Sequence, residues 1–233
     1  MRTLALVAAA AMAAVSATAI AAAPARKAPA AADWSRTIVM TPEGGFRMGN
    51  PAAKVKLVEY GSLTCGHCAN FAREGMAPLL GTYVRSGKVS YEYRTYFLNG
   101  LDVAAILVAR CGGPGRFFPV AEKLYQTQSQ WKGRVAGLTE AQKQALNALP
   151  EGQRLGRLAE LAGITQIAAQ HGIGAAQSKR CLTDQATFDR LGKMNEAAAA
   201  QGVQGTPSFF LNGSDLGPQS WGTLEPILRE AAG

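Results

Sequence analysis

Cys65-Gly66-His67-Cys68 holds the side chains best suited to chemistry: two cysteines spaced C-x-x-C, a separation at which a pair of thiols can cycle between dithiol and disulfide. Leu57 to Tyr60 reads as the end of a buried strand, Ser62 as a polar loop residue, and the stretch that follows as a helix. Cys65 is thereby placed at a helix N-terminus, where unpaired amide hydrogens and the positive end of the helix dipole favour thiolate over thiol. The thiolate is the attacking species in disulfide exchange, and a depressed pKa also makes the same sulfur a better leaving group. Cys65 is the expected nucleophile and Cys68 the expected resolving thiol.

Other uses of the pair fit less well. Zinc would need two further ligands, and beyond the two remaining cysteines the chain offers only His67 and His171, without paired spacing. Covalent haem attachment needs C-x-x-C-H, and Ala69 follows Cys68. A permanent disulfide across two residues closes a ring too tight to contribute much loop-closure stabilisation. No metal or other cofactor is expected.

A second signal lies far downstream, in Gly202-Val203-Gln204-Gly205-Thr206-Pro207-Ser208-Phe209-Phe210. A proline entering an apolar strand cannot donate to the ladder, so it belongs at the strand's start. C-x-x-C after one strand and Gly205-Thr206-Pro207 before another resembles the thioredoxin-fold oxidoreductases. The resemblance implies a cis Thr206-Pro207 bond packed against the cysteine pair, with Gly205, Thr206 and Pro207 docking an extended substrate through the backbone before the proline.

The stretch from Pro51 to Cys68, with Val55-Lys56-Leu57-Val58-Glu59-Tyr60-Gly61-Ser62 ahead of the motif, resembles the DsbA-like branch of that superfamily. In that branch an acidic residue sits beneath the active site at the position of Glu59. Buried there, its pKa would rise by desolvation and it could relay a proton as Cys68 is deprotonated; the plainer alternative is a half-exposed strand glutamate. Arg94, on the next strand, is the candidate basic partner. Cys-Gly-His-Cys also resembles the motif of eukaryotic disulfide isomerases, which implies an oxidising potential. His67 as an imidazolium beside the thiolate would stabilise the reduced form, where a merely superficial histidine would not.

The elements that must hold these residues follow from hydrophobic periodicity. Val55 to Tyr60 and Val89 to Phe97 read as strands, with a helix over Cys68 to Val84 that Pro78 should kink. After Asn99-Gly100 the spacing turns helical: Leu101–Arg110, Phe117–Gln128, Ala141–Leu149, Arg154–Leu161, Thr165–His171 and Thr187–Gln201. Ser208 to Leu211 returns to strand before an Asn212-Gly213 turn, and Trp221 to Ala232 closes the chain as a helix. Phe117, Phe118 and Leu124 fit core positions better than a client groove. The expected architecture is α/β, a thioredoxin fold with an inserted α-helical domain: core from 51–100 and 202–233, insert over 101–201. Ser214 to Ser220 is a poor last strand, interrupted by Gly217 and Pro218.

Residues 1–23, with Arg2 ahead of an alanine- and valine-rich apolar run, read as a secretory signal peptide, and 24–50 as a linker and N-terminal extension that begins with the Ala/Pro-rich stretch Pro24 to Ala32. The apolar run is short and alanine-rich for a membrane span, so no stable membrane insertion is expected. Export suits disulfide chemistry, which persists in an oxidising compartment such as the periplasm. Cys111 and Cys181 remain. An even count in an exported chain invites pairing, and some bacterial DsbA relatives carry a further disulfide in the helical domain, which this arrangement resembles. A bridge would close a loop of about seventy residues; two buried free thiols are the alternative.

The formal charge of +8 over 233 residues comes from lysines and arginines scattered along the chain, not gathered in a tract, and no nucleic-acid motif accompanies them. The resulting expectation is an exported thiol:disulfide oxidoreductase, an oxidase giving its Cys65–Cys68 disulfide to unfolded secreted proteins and reoxidised by a membrane partner. An isomerase or reductase is the alternative within that chemistry. Too little chain precedes Val55 for the N-terminal dimerisation domain of periplasmic isomerases, so a monomer is expected. A redox-inactive metal-binding or chaperone module is the alternative from another class.

Overall fold

Valine, leucine and tyrosine fill the two central strands of the sheet, Val55–Gly61 (β3) and Val89–Thr95 (β4), as β-branched and aromatic residues do where both faces are covered. They run parallel, from Val55 opposite Val89 to Gly61 opposite Thr95. Parallel neighbours need a crossover, supplied by the helix Gly66–Pro78 (α1) and a π-helical turn over Leu79–Val84. The helix does change character at Pro78, which lacks the N–H that a regular ladder would use. The computed structural model describes residues 32–233; the signal-peptide reading of residues 1–23 lies outside them.

Ser208–Leu211 (β5) runs antiparallel along the other side of β3, Leu57 facing Leu211 and Tyr60 facing Ser208. Asn212 and Gly213, at φ 51° and 88°, turn the chain into Ser214–Gly217 (β6). This four-residue edge strand exists despite Gly217 and Pro218, because it stops at Gly217 and a register shift at Phe209/Phe210 accommodates the irregular pairing.

The linker reading of Pro24 to Ala32 falls almost wholly outside the described residues, and the rest of the N-terminal extension carries two strands that the sequence reading did not place. Ile38–Met40 (β1) and Phe46–Met48 (β2) form a hairpin whose second strand pairs antiparallel with β4. The six-stranded sheet therefore runs β1-β2-β4-β3-β5-β6. Burial fixes β2 in place: Phe46 and Met48 are 1% and 4% exposed, and Phe46 stacks on Phe117 with ring centroids 4.3 Å apart.

After Asn99, whose side chain caps the next helix by accepting from the Asp102 amide, the chain is helical to Gln201. Gly100–Arg110 (α2) is buried from Asp102 through Ala109 and packs against Pro114–Gln126 (α3), Glu151–Ala162 (α6) and Ala175–Leu182 (α8). Gln128–Ala136 (α4) separates from α3 at Thr127, where the sequence predicts one helix through Gln128. Buried Trp131 closes that corner by donating from Nε1 to the Leu124 carbonyl at 2.8 Å. Glu140–Asn147 (α5), Ile164–Gln170 (α7) and Gln185–Ala200 (α9) complete the helical segment. Trp221–Ala232 (α10), opened by a Ser220/Thr223 capping box, returns to pack on α1 and β3. Sheet and helical segment share one continuous set of buried side chains.

Cys111, just past α2, is bonded to Cys181 of α8, with Cα atoms 5.8 Å apart across 70 residues of sequence. Closing a loop of that length restricts the unfolded chain by roughly 4 kcal/mol on the chain-entropy model. The double variant Cys111→Ser/Cys181→Ser is accordingly expected to unfold at a lower urea concentration, by an amount equivalent to about 2–4 kcal/mol. An unchanged midpoint would contradict that role for the bridge.

Candidate active site

The strand β3 delivers the chain to a turn, Ser62–Cys65, from which α1 departs. Cys65 is the N-cap of that helix, with β-region backbone (φ −76°, ψ 125°), and its sulfur accepts from the Cys68 amide at 3.5 Å. It also lies 3.1 Å from the Thr206 carbonyl oxygen, to which its thiol donates. The pKa of Cys65 is pulled down to about 5, first by the Cys68 thiol, against the opposing effect of burial. The Thr206 side chain and the backbone amides of Cys68 and His67 add to the same direction. The Thr206 hydroxyl is buried with no hydrogen-bond partner among the described residues, so a thiolate is a natural one.

Cys68 sits in the opposite environment. It is fully buried, and desolvation, reinforced by Cys65 and by the Glu59 carboxylate, pushes its thiol well above the ordinary value. Both sulfurs are unbonded here. The Thr206–Pro207 peptide is cis. Pro207 is buried while Gly205 and Thr206 are half-buried, and the Gly205 carbonyl accepts from Ser208 Oγ at 2.8 Å. His67 stands exposed in the first turn of α1.

Glu59 is buried, 2% exposed, on the face of β3 that lies beneath the cysteines. Its carboxylate accepts from Tyr91 Oη at 2.6 Å. Burial raises its pKa to about 7, against the Tyr91 hydrogen bond and with help from a Cys65 thiolate. A cavity of about 420 Å3 between α1 and α3 is lined by Glu59, Phe71, Tyr91, Tyr93, Phe118 and Tyr125, among others. The expected partner Arg94 does not reach Glu59. Strand side chains alternate, so Arg94 lies on the other sheet face, where it pairs with Glu92 at 2.8 Å and Glu43 at 3.7 Å and donates to Tyr60 Oη at 3.2 Å.

Sequence reasoning did not single out Asp102. This buried carboxylate accepts from Ser62 Oγ, from the Leu63 amide at 2.9 Å and from the Leu98 amide at 3.0 Å, so it fastens the active-site turn to the start of the helical segment. Burial lifts its pKa to about 6 against those hydrogen bonds. An Asp three residues after an N-cap Asn is a helix-start signal, and only the tertiary structure turns it into a clamp. Among the described residues no three His, Cys, Asp or Glu side chains gather closely enough to hold a metal ion.

A helix-capping thiolate, a buried second thiol and a cis-proline loop against the first sulfur together define a thioredoxin-fold redox site. A family model described as thioredoxin matches residues 41–230, and the chain belongs to that family. The solved protein-disulfide isomerase of Novosphingobium aromaticivorans is 34% identical, with a TM-score of 0.74, covering 79% of this chain and 96% of that one. Alpha-DsbA1 of Wolbachia pipientis shares the fold at 19% identity and a TM-score of 0.66, over 83% of this chain and 93% of its own. A provisionally assigned protein-disulfide oxidoreductase of Rickettsia conorii is 29% identical over 185 residues, 79% of this chain and 59% of the relative. The chain thus spans about three-fifths of the length of the curated relatives it matches first.

Glu59 carries a pH signature. Its folded pKa of about 7 lies above the ordinary carboxyl value of 4.5, so the unfolded state ionises first and stability falls as pH rises from 4.5 to 7. Below 4.5 both states are protonated and the penalty vanishes. Glu59→Gln should therefore stabilise the reduced protein at pH 8 by roughly 2–3 kcal/mol and leave it unchanged near pH 4. Urea unfolding at the two pH values checks this, and equal differences at both would refute the buried-acid assignment.

Proposed function

We propose that this protein is an exported thiol:disulfide oxidoreductase acting as an oxidase, a monomer that gives its Cys65–Cys68 disulfide to folding secreted proteins in the periplasm. The observation that carries the reading is the opposed treatment of the two sulfurs. Cys65 ionises easily, to about pH 5, and the buried Cys68 does not. A dithiol whose outer sulfur rests as a stable thiolate favours the reduced state, and a protein that favours its reduced state is a strong oxidant.

In the oxidised protein a client thiolate attacks the Cys65 sulfur, a client–Cys65 bond forms, and the Cys65–Cys68 bond breaks with its electron pair on Cys68. Buried Cys68 cannot hold that charge, and Glu59, with a pKa of about 7, is the acid able to supply a proton from the cavity beneath. The extended client lies along the half-buried backbone of Gly205 and Thr206, beside Pro207. A second client thiolate then attacks the client sulfur, forming the client's disulfide and expelling Cys65 as the stabilised thiolate. A membrane partner accepts the two electrons and restores the disulfide. No helix among the described residues is long and apolar enough to cross a membrane, which suits a protein that meets such a partner from outside the bilayer.

The isomerase description of the Novosphingobium relative supports a second reading, in which the protein is kept reduced and reshuffles wrong pairings. The redox potential separates the two. Equilibration with glutathione should give a value near the oxidising end of the family, about −120 to −180 mV, and a value near −270 mV would overturn the oxidase reading.

Thiolate absorbance of the reduced protein should titrate near pH 5, not near 9.0. Because the folded pKa is depressed, this thiolate stabilises the reduced form increasingly as pH rises from 5 towards 9.0 and ceases to as pH falls through 5. Cys65→Ser should abolish oxidation of a reduced, unfolded client in a stoichiometric assay. Cys68→Ser, given a client that already carries a disulfide, should instead trap the mixed disulfide, because the Cys65 thiolate attacks one client sulfur, releases the other as a thiolate and has no second thiol to resolve the bond; non-reducing electrophoresis shows it.

A further inference from the structure

The carbonyl oxygens of the active-site turn point towards the helical segment, and each meets a side-chain donor from the α3–α4 corner. Tyr125 Oη donates to the Ser62 carbonyl at 3.1 Å. Gln128 Nε2 uses both hydrogens, on the Leu63 and Cys65 carbonyls, each at 2.8 Å. Lys132 Nζ donates to the Thr64 carbonyl at 2.6 Å. Gln128 is 8% exposed and Lys132 half-buried, and Lys132 forms no ion pair within the described residues. The turn's opposite side is held by Asp102, and Asn99 Nδ2 donates to Thr64 Oγ1 at 3.2 Å.

We propose that Gln128 and Lys132 are positioning residues for Cys65: they fix the turn so that its sulfur stays on the amides that open α1, and Lys132 brings a positive charge onto the carbonyl of Thr64, the residue before Cys65. Resting on the oxidoreductase reading, the inference concerns how the redox site is tuned, whichever direction it runs in the cell. Two physical effects act together. A donor on the Cys65 carbonyl polarises the peptide unit it shares with Gly66, the first residue of α1, and so strengthens the field at the helix start. The ammonium sits on the carbonyl of the residue immediately before Cys65, in a half-buried setting where water screens a charge less than on an open surface. The other ionisable groups around the turn are the Cys68 thiol, the Tyr125 phenol on the Ser62 carbonyl, the buried acids Glu59 and Asp102, which oppose a thiolate when charged, and His67 on the outer surface. Lys132 thus brings a positive charge to a place where the buried carboxylates are negative.

The test uses the full chain and three variants, Lys132→Met, Lys132→Arg and Gln128→Leu. For each, the equilibrium is measured for protein disulfide plus two glutathione thiols against protein dithiol plus glutathione disulfide, together with the thiolate absorbance titration and urea unfolding of both redox forms. Lys132→Met and Gln128→Leu should shift the equilibrium about threefold or more towards the oxidised protein and raise the pH at which Cys65 ionises. Lys132→Arg, which keeps the charge and a donor, should stay within about twofold of the parent. The reduced form should lose more stability than the oxidised form in the first two variants. Equal loss in both forms, or an unshifted equilibrium, would overturn the inference, as would Lys132→Arg behaving like Lys132→Met. The parent's absolute potential decides the oxidase reading; the difference between parent and variant decides this one.

Discussion

Two sulfurs three residues apart are given opposite electrostatic surroundings, and the rest of the molecule is arranged to keep them so. Cys65 gains the Cys68 thiol, amide hydrogens, a helix start and the Thr206 hydroxyl; Cys68 meets burial first, then Cys65 itself and the proximity of a carboxylate. The difference cannot come from the motif alone, since any C-x-x-C at a helix start offers the same amides. It depends on how deeply the second sulfur is covered and on how firmly the turn before the first is held. The parallel β3–β4 pair sets the height of that turn, and the cis peptide at Thr206–Pro207 brings a second loop against it.

Sheet alternation separates the charges that must act on the sulfurs from those that must not. Glu59, Tyr91 and Tyr93 point to the face under α1 and α3. Glu92 and Arg94 point to the other, where they neutralise one another. An acid left without a cation beneath the active site is costly to the fold when ionised, which holds it near neutrality and makes it able to exchange a proton at physiological pH. A cation on the same face would have cancelled that property.

The chemistry was more legible in the sequence than the scaffold. Cys65, Cys68 and the Gly205-Thr206-Pro207 loop announced themselves through residue type and spacing, and Glu59 only through the resemblance to the DsbA-like branch. The strands β1 and β2 were not legible, because three residues are too few for a period-two pattern and their stability comes from pairing with β4 and packing on Phe117. Helices α4 and α8 are largely polar, and their burial rests on single side chains such as Trp131 and Leu182. Arg94 was misplaced for want of strand register: one step along β4 reverses the face. Asp102, Gln128 and Lys132 act on the turn across 39 to 68 residues of chain, a relationship that no local pattern encodes.

The bond between Cys111 and Cys181 has a consequence for selectivity. A protein that exchanges disulfides as proposed must avoid presenting idle thiols of its own, since each would be an internal competitor for the mixed intermediate. Locking this second pair into the helical layer leaves a single exchangeable couple, so every turnover engages the client or nothing.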